Sequence, residues 1–322
     1  MTSTAPEHPC QALCARLGVR YPILQGGMTF GSDGRLVAAV SNAGGLGTLG
    51  TFHYRTAERV REQLAVIRAA TDRPFSVNVP FFEASFELVE ALARQDGVRT
   101  FTLGGWFSEP MARLKEELGL TVLVSVNSPT VARMVAERPL DALIVQGNES
   151  GGANNQFGTA QLFDLVAPTV SVPVVVAGGQ WDGRDLFAAL ARGAAGVQLG
   201  TRFFFCEESP LHPTIKEQVL DQNLKRPLTT ALVPVSDTLN MRFVTNKAWR
   251  TAMKEGEVEA IFRDKERVFD LSRAYFEPQA RPILLYAGTG LYRLHAIEPA
   301  GAIVEGIVGE YRALAARSMP AL

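Results

Sequence analysis

Short apolar runs alternate with amphipathic segments along the first two thirds of the chain. Seven segments between these runs carry apolar residues at three- and four-residue spacing, which predicts helices with one buried face. The runs themselves are rich in Val, Leu and Ile and have the length of buried strands. There are eight of them: "YPILQGG", "GLGTLG", "FSVNVPF", "TFTLGGW", "TVLVSVN", "ALIVQGN", "VPVVVAGG" and "GVQLGTRF".

Strands that are apolar on both faces and separated by helices are typical of a parallel sheet. Eight strand–helix units in about 200 residues predict an α/β protein of the (β/α)8 TIM barrel class. A doubly wound open sheet is the competing architecture. We assign residues 15–209 and 288–322 to the barrel, with the closing "GAIVEGIVGEYRALAAR" returning as its eighth helix.

The rhythm of the chain changes after about residue 209. The segments "LHPTIKEQVLDQNLKRPLTT" and "NKAWRTAMKEGEVEAIFRDKERVFDLSRAYF" are rich in charge and helical in period. Residues 210–287 are therefore predicted to form a smaller helical insertion, either a lid or a dimerisation surface. The sequence leaves a homodimer open.

Composition narrows the choice of partners. The chain has 322 residues, 47% of them hydrophobic, and a formal net charge of -1 with no basic stripe, which argues against nucleic acid. No basic segment followed by an apolar run opens the sequence, and no 18-residue apolar stretch occurs, so we expect a cytoplasmic protein without a membrane partner. Three cysteines without a CxxC pair favour neither a disulfide framework nor a metal site.

Two glycine-rich loops have the properties of a phosphate site. In a parallel barrel the chemistry lies at the carboxyl ends of the strands, and the loops after the last two strands commonly hold phosphate. "AGGQWDGRDL" places Gly178 and Gly179 at one such end, and "LGTRFF" places Gly200 and Thr201 at the next. Their backbone N–H groups would form an anion site. The alternative is that the glycines only permit tight turns.

A third glycine-rich run has a different explanation. "GLGTLG" matches the dinucleotide fingerprint GxGxxG, but its glycines lie inside the predicted second strand and follow a helix. The next strand, "FSVNVPF", has no acidic residue to bind a ribose. We interpret Gly45, Gly47 and Gly50 as close packing positions of the barrel.

Seven motifs in order resemble one known family. They are "YPILQGGM", "SNAGGLGTLG", "FSVNVPF", "QGNESGG", "VPVVVAGG" with "DGR", "AALARGAAGVQLGTRF" and the late "YAGTG". Together they are similar to the nitronate monooxygenase, or 2-nitropropane dioxygenase-like, flavoproteins, which are related to bacterial flavin-dependent enoyl-ACP reductases. The match runs in register from about residue 20 to 205.

The resemblance implies a barrel that binds FMN without a covalent link. Asn78 and Gln146 would face the flavin ring, whose donors and acceptors suit side-chain amides, and Gly151 would line it. Gly179 and the segment from Gln198 to Thr201 would meet the phosphate. The full set of expected cofactor residues is Gly27, Met28, Asn78, Gln146, Gly151, Gly178, Gly179, Gln198, Leu199, Gly200 and Thr201.

One position departs from the family pattern. Typical members follow the Gly-Gly of "ESGG" with a histidine that takes a proton from the substrate, whereas this chain has Ala153, whose methyl group cannot. His53, after the second strand, could supply a base from another direction, and Asn154 could orient a carbonyl or nitro group. Their alternatives are a solvated loop histidine and a turn residue. His295 ranks below His53.

Three functions remain open from the sequence. The first is an FMN-dependent oxidoreductase resembling nitronate monooxygenases, acting on a small nitronate-like or related substrate that needs no base at Ala153. The second is an NAD(P)H-dependent enoyl-type reductase or biosynthetic tailoring enzyme with a carrier-bound substrate, its pocket shaped by Trp106, Phe157 and Trp181. The third is a catalytically silent flavin-binding protein. The expected partners are accordingly a small-molecule or carrier-bound substrate with O2 or NAD(P)H, and no metal.

Overall fold

The barrel is seen in a computed structural model that describes residues 8–54, 56–82, 84–236, 239–263, 274–277 and 283–317. Its parallel strands are hydrogen-bonded in the order β1-β9-β8-β6-β5-β4-β3-β2. Strand β1 then meets β2 through a parallel bridge between Leu24 and Leu46, with Gln25 N donating to Leu46 O at 2.9 Å. The sheet is thus closed, and the predicted TIM barrel is confirmed. The strands are β1 (Ile23–Gln25), β2 (Gly47–Gly50), β3 (Phe75–Pro80), β4 (Thr100–Gly104), β5 (Thr121–Val126), β6 (Ala142–Gln146), β8 (Val174–Ala177) and β9 (Gly196–Leu199).

The Gln25 side chain strengthens the seam between β1 and β2. It is fully buried, donates to Thr48 O at 3.0 Å and accepts from Thr48 N at 2.9 Å. These two side-chain bonds add to the few backbone hydrogen bonds that the short strand β1 forms with β2. A buried glutamine satisfied in this way costs little, because its polar atoms keep their partners.

Helices cover the outside of the barrel. They are α2 (Gly34–Asn42), α3 (Ala57–Ala70), α4 (Ser85–Arg94), α5 (Glu109–Leu118), α6 (Pro129–Ala136), α7 (Thr159–Val166), α8 (Gly183–Ala191) and α13 (Ala300–Ala315). Helix α13 packs against α8 and α2, as predicted for the eighth helix. Gly183 allows its close approach, because a Cβ there would lie 2.5 Å from Ile307 O.

Capping side chains set where several of these helices begin. Asp33, Ser108 and Ser128 each accept a hydrogen bond from the backbone N–H three residues later. Asp182 forms a capping box with Asp185 at the start of α8. Each cap satisfies donors that the first helical turn leaves without a partner, so the strand-to-helix loops end at defined residues.

Helix α1 (Pro9–Leu17) closes the N-terminal end of the barrel. Its buried Leu13 and Leu17 pack with interior strand residues that include Leu24, Leu123 and Ile144. A second and larger cluster lies between the sheet and the outer helices. With one end filled by apolar side chains, the carboxyl ends of the strands are the end left for a ligand.

The insertion differs from the helical subdomain predicted for 210–287. It does contain α10 (Pro213–Lys225), α11 (Lys247–Lys254) and α12 (Glu257–Arg263), after the short α9 (Thr201–Phe204) of the barrel. Between them, however, β10 (Thr230–Ser236) and β11 (Leu239–Val244) form an antiparallel hairpin. The helical prediction was wrong here, because alternating apolar residues and a partner strand from the barrel loops favour a sheet. Residues 264–273 and 278–282 of the predicted subdomain lie outside the described residues.

That partner is the short strand β7 (Gly152–Asn154), which joins β10 and β11 in a three-stranded sheet. The insertion is therefore attached directly to the loop that contains the "ESGG" motif. Among the described helices, none is long and apolar enough to cross a bilayer.

Candidate active site

The loop after β1 touches the third strand at one of the predicted cofactor residues. A Cβ on Gly27 would overlap the Asn78 side chain, so only glycine fits beside it. Asn78 Nδ2 donates to Thr102 O at 3.0 Å, while its Oδ1 receives no hydrogen bond from the residues described. The structure thus brings Gly27 and Asn78 together and leaves an amide oxygen available at the carboxyl end of β3.

Ser32 holds the loop that carries Met28. Its hydroxyl accepts from Met28 N at 3.1 Å and Gly50 N at 3.0 Å, and donates to Met28 O at 3.0 Å. A Cβ on Gly50 would lie 2.6 Å from Met28 O, and one on Gly47 would overlap Val37 O. The glycines of "GLGTLG" therefore serve close packing, as predicted. The role of Ser32 could not be predicted from the sequence, because its partner Gly50 lies on β2.

The first and last barrel strands place a second amide beside this loop. A Cβ on Gly26 would lie 3.5 Å from Gln198 Nε2, and one on Gly200 would lie 3.9 Å from Met28 Sδ. The Gln198 side chain forms no hydrogen bond within the described part of the chain. Met28, Gln198 and Gly200, predicted from separate motifs, are therefore neighbours, and the Gln198 amide is free to bind a ligand.

The two predicted phosphate loops carry free backbone donors. Gly178 and Gly179 have φ of 110° and 72°, the left-handed region that favours glycine. The N–H groups of Gly179, Gln180, Gly200 and Thr201 have no acceptor among the residues that the structure describes. An anion bound between the two loops would satisfy these donors.

The first turn of α8, in contrast, is already satisfied. Asp182 Oδ1 accepts from Arg184 N at 2.9 Å and Asp185 N at 3.3 Å, and Glu310 accepts from Gly183 N at 2.9 Å. Asp182 also bonds Arg184 and Arg293. Burial would raise the pKa of Asp182, but these two arginines hold it at about 2. The anion donors are thus the loop amides rather than the helix terminus.

The "ESGG" loop is fixed from both sides. Glu149 Oε2 accepts from Thr159 N at 2.8 Å and Thr159 Oγ1 at 2.7 Å, where α7 begins. Thr289 N donates to Glu149 O at 2.8 Å, and Gly288 N donates to Thr201 Oγ1 at 2.8 Å. The late "YAGTG" motif therefore joins this loop to the phosphate side, and Glu149 has a structural role.

Gly151 is the point of closest approach between these segments. A Cβ there would lie 2.8 Å from the carbonyl carbon of Ala287. Side chains larger than hydrogen are therefore excluded at this position. This contact gives a structural reason for the glycine at position 151, which the sequence motif alone did not provide.

Position 153 lies on β7, where Ala153 is exposed. Its direct cross-strand partner on β11 is Met241, and Gly152 pairs with Arg242. Gln146 Nε2 donates to Ala153 O at 2.8 Å and to Ser150 Oγ at 3.0 Å. Gln146 thus holds the loop backbone in this structure, and the residue it presents is a methyl group without acid or base.

Asn154 is placed differently from the residue we expected to orient a substrate. It is fully buried, and its Nδ2 donates to Ser150 O at 2.6 Å and Gly152 O at 3.2 Å. Its Oδ1 accepts from Ser150 Oγ at 3.0 Å. The side chain is occupied inside its own loop, so these contacts support the turn interpretation and not a catalytic one.

His53 lies at the carboxyl face of the barrel, where it is half-buried. Its ring lies 3.8 Å from that of Tyr54 and 5.1 Å from that of Phe30, and its buried Nδ1 has no hydrogen-bond partner among the described residues. Burial lowers the pKa of His53 to about 4, against a smaller opposite effect of a hydrogen bond to the Thr29 backbone. The imidazole is therefore neutral at pH 7, the form that accepts a proton, but its low pKa makes it a weak base.

The other histidines have positions away from this chemistry. His8 caps α1 and its Nε2 lies 3.0 Å from Leu190 O. His212 caps α10. His295 is exposed on the segment between the "YAGTG" motif and α13.

Two of the three predicted pocket aromatics are packed into the protein. Trp106 is buried and donates from Nε1 to Val79 O at 3.0 Å. Trp181 is buried against Gly290, with the Arg202 guanidinium 5.1 Å from the centre of its ring. Phe157 is half-buried. Within the described chain no group of three or more His, Cys, Asp or Glu side chains could hold a metal ion.

The arrangement fits FMN. Free loop amides suit its phosphate, and the available amide groups of Asn78 and Gln198 suit a ring with both donors and acceptors. Leu199 lies in β9 beside them, and Gln25 pairs with it in the barrel register. The other predicted ring contact, Gln146, is engaged with Ala153 as described above.

Comparisons with known proteins identify the family of the chain. The family model described as nitronate monooxygenase matches residues 11–94 and 87–310. A (3aS,4S,5R,7aS)-5-hydroxy-7a-methyl-1-oxo-octahydro-1H-indene-4-carboxyl-CoA dehydrogenase of Rhodococcus jostii is 33% identical over 93% of this chain and 91% of its own length. A nitronate monooxygenase of Pseudomonas aeruginosa is 31% identical over 74% of this chain and 81% of its own length.

Among solved structures, FabK from Thermotoga maritima superimposes with a TM-score of 0.81 and 30% identity, over 94% of this chain and 96% of that one. The family match and these similarities show that this chain is an oxidoreductase and that its cofactor is FMN. The resemblance drawn from seven motifs is confirmed. The chain belongs to the nitronate monooxygenase family.

Proposed function

We propose that the protein is an FMN-dependent reductase of α,β-unsaturated acyl thioesters, carried on CoA or a carrier protein and fed by NAD(P)H. The observation that carries the proposal is the exposed methyl of Ala153, at the position where the resemblance to the family implies a histidine base. Bound FMN supplies the hydride exchange. The similarity to a relative named for a carboxyl-CoA substrate supports the thioester.

Reduction of the thioester does not depend on a base at position 153. Dehydrogenation would require removal of a proton from carbon; Ala153 has no basic group, and His53, with a pKa of about 4, is a weak base. With NAD(P)H as the electron donor, hydride adds at the β carbon and the α carbon then takes its proton from water. The proposed reduction therefore balances without a proton from the protein.

The chain contributes binding and orientation. The loop amides of Gly179 and Gly200 hold the cofactor phosphate, and Asn78 and Gln198 orient the ring. Gln146 fixes the backbone of Ala153, so that the substrate meets a rigid, apolar surface. Held geometry of this kind lowers the barrier without a proton transfer from the protein.

A second function, oxidation of alkyl nitronates, is favoured by the same position. A nitronate is already an anion, so no proton need be removed from carbon. Its oxidation therefore does not require a base at position 153. The similarity to the Pseudomonas aeruginosa nitronate monooxygenase supports it.

Anaerobic absorbance spectroscopy of the purified holoenzyme separates the candidates. We expect NADPH or NADH to bleach the flavin band and 2-octenoyl-CoA to restore it without oxygen. Bleaching by propyl-1-nitronate, with no response to 2-octenoyl-CoA, would establish the second function instead. A flavin spectrum indifferent to both nucleotides, to nitronate and to thioester would leave a silent flavin-binding protein.

A further inference from the structure

The strand that carries Ala153 has its sheet partner in the insertion. In the antiparallel pair of β7 and β11, Ala153 stands directly opposite Met241, and Asn154 opposite Asn240. Directly opposite residues project from the same face of a sheet, with Cβ atoms about 5 Å apart. The methyl of Ala153 and the thioether of Met241 therefore lie side by side.

The two faces of this small sheet have opposite chemistry. Asn154 and Arg242 belong to one face, where Asn154 is buried in its loop and Arg242 Nε donates to Asn148 O at 2.8 Å. Met241 belongs to the other face and packs against a buried apolar cluster of the insertion that contains Phe243 and Trp249. The side-chain hydrogen bonds of Asn154 and Arg242 thus lie on the face opposite to the Ala153 methyl.

The apolar face is partly open. Ala153 is exposed and Met241 only half-buried, so part of both side chains is accessible beside the predicted flavin residues. Gln146, a predicted ring contact, donates from Nε2 to the Ala153 carbonyl at 2.8 Å, so this face adjoins one of the residues expected to face the flavin. A histidine at position 153 would put a polar ring on the same surface.

We propose that Met241 is a specificity-determining residue, which forms with Ala153 an apolar wall that binds the hydrocarbon chain of the acyl substrate. This inference rests on the proposed function for its substrate class. The flexible thioether of methionine adapts to irregular apolar shapes. Each methylene of the substrate that reaches the wall tightens binding by about two- to fourfold.

The test compares chain lengths on the oxidised holoenzyme. Butanoyl-CoA and octanoyl-CoA are titrated against the flavin spectrum, with free CoA to isolate the contribution of the carrier. We expect octanoyl-CoA to bind much more tightly than butanoyl-CoA to the wild type. Met241→Gln should lose most of that difference, and Met241→Leu should keep it. Met253→Gln, on the exposed side of α11, is the matched control and should behave as wild type.

Two further measurements keep the inference open to refutation. Ala153→Gln alters the exposed residue of the wall and should also reduce the difference in affinity between octanoyl-CoA and butanoyl-CoA. It tests the wall even if a Met241 variant folds poorly. FMN content and thermal melts establish folding. An unchanged difference in a folded Met241→Gln or Ala153→Gln protein overturns the inference.

A separate measurement tests the proposed function. The same comparison is made with propyl-1-nitronate and octyl-1-nitronate, measuring kcat/KM. A chain-length dependence seen only for nitronates and lost in Met241→Gln would support the apolar wall. It would contradict the proposal that the substrate is an acyl thioester. If neither series depends on chain length in the wild type, the apolar wall is rejected.

Discussion

At residue scale the site is defined as much by what Ala153 lacks as by what its neighbours provide. An exposed methyl on a paired strand is a position that accepts other side chains without disturbing the core. Asn154, one residue later, is the reverse case: its fully used hydrogen bonds could not be predicted from the sequence, because Ser150 and Gly152 become its partners only when the loop turns back.

Ala153→His tests the missing base. A correctly placed general base contributes about 10²- to 10⁴-fold to a proton transfer, so we expect kcat/KM for neutral nitroethane to rise at least about tenfold. The increase should grow with pH as the new imidazole loses its proton. Ala153→Gln has a similar size without basicity and is the control. Equal rates in both variants would mean that no base is needed here.

Gly27→Ala tests the contact between the first loop and Asn78. The added methyl overlaps the Asn78 side chain, and overpacking of this kind costs about 1–3 kcal/mol. We expect about five- to 150-fold weaker FMN binding, measured by fluorescence titration of the apoprotein. Gly309→Ala, on the open face of α13, adds the same methyl without a neighbour and should leave FMN binding unchanged.

At element scale the eight strands were predictable because each is a local apolar run between helices of clear period. The hairpin of β10 and β11 was not, because its register depends on β7, which lies about 80 residues earlier in the chain. Likewise, the glycine loops indicated a phosphate site from the sequence. That the first-turn N–H groups of α8 already have acceptors could not be predicted, because one acceptor is Glu310 on α13.

The capping box of α8 makes one element sensitive to acid. Burial opposes ionisation of Asp182, yet Arg184 and Arg293 lower its pKa from 3.8 to about 2. A lowered carboxyl pKa stabilises the fold above the unfolded value and loses that effect as the pH falls toward the folded value. We expect Asp182→Asn to lower Tm at pH 6 and to differ progressively less from wild type below pH 4. A Tm difference independent of pH would contradict this assignment.

At the scale of the whole molecule, barrel and insertion meet at the loop that carries Ala153, where β11 pairs with β7. The free amides at Gly179 and Gly200, the Gln198 side chain and the β7 loop belong to segments spread along the chain. A ligand that bridges them stabilises the folded state as a unit.

FMN should therefore stabilise the entire protein. Binding at 100 times Kd adds about 2.7 kcal/mol to the free energy of unfolding. We expect calorimetry to show a single transition that moves to higher Tm as FMN is added. Separate transitions, of which FMN shifts only one, would mean that the barrel and the insertion unfold independently.

The joining of Glu149 to Thr289 has a consequence for biosynthesis. This contact, and that of Thr201 with Gly288, link segments 140 and 87 residues apart. While the "YAGTG" motif has not yet left the ribosome, the nascent chain already has its barrel strands. The contacts of Glu149 and Thr201 with this motif have not yet formed. We therefore expect flavin loading to be a late event in maturation, and a chain truncated before residue 288 to bind FMN more weakly than the full chain.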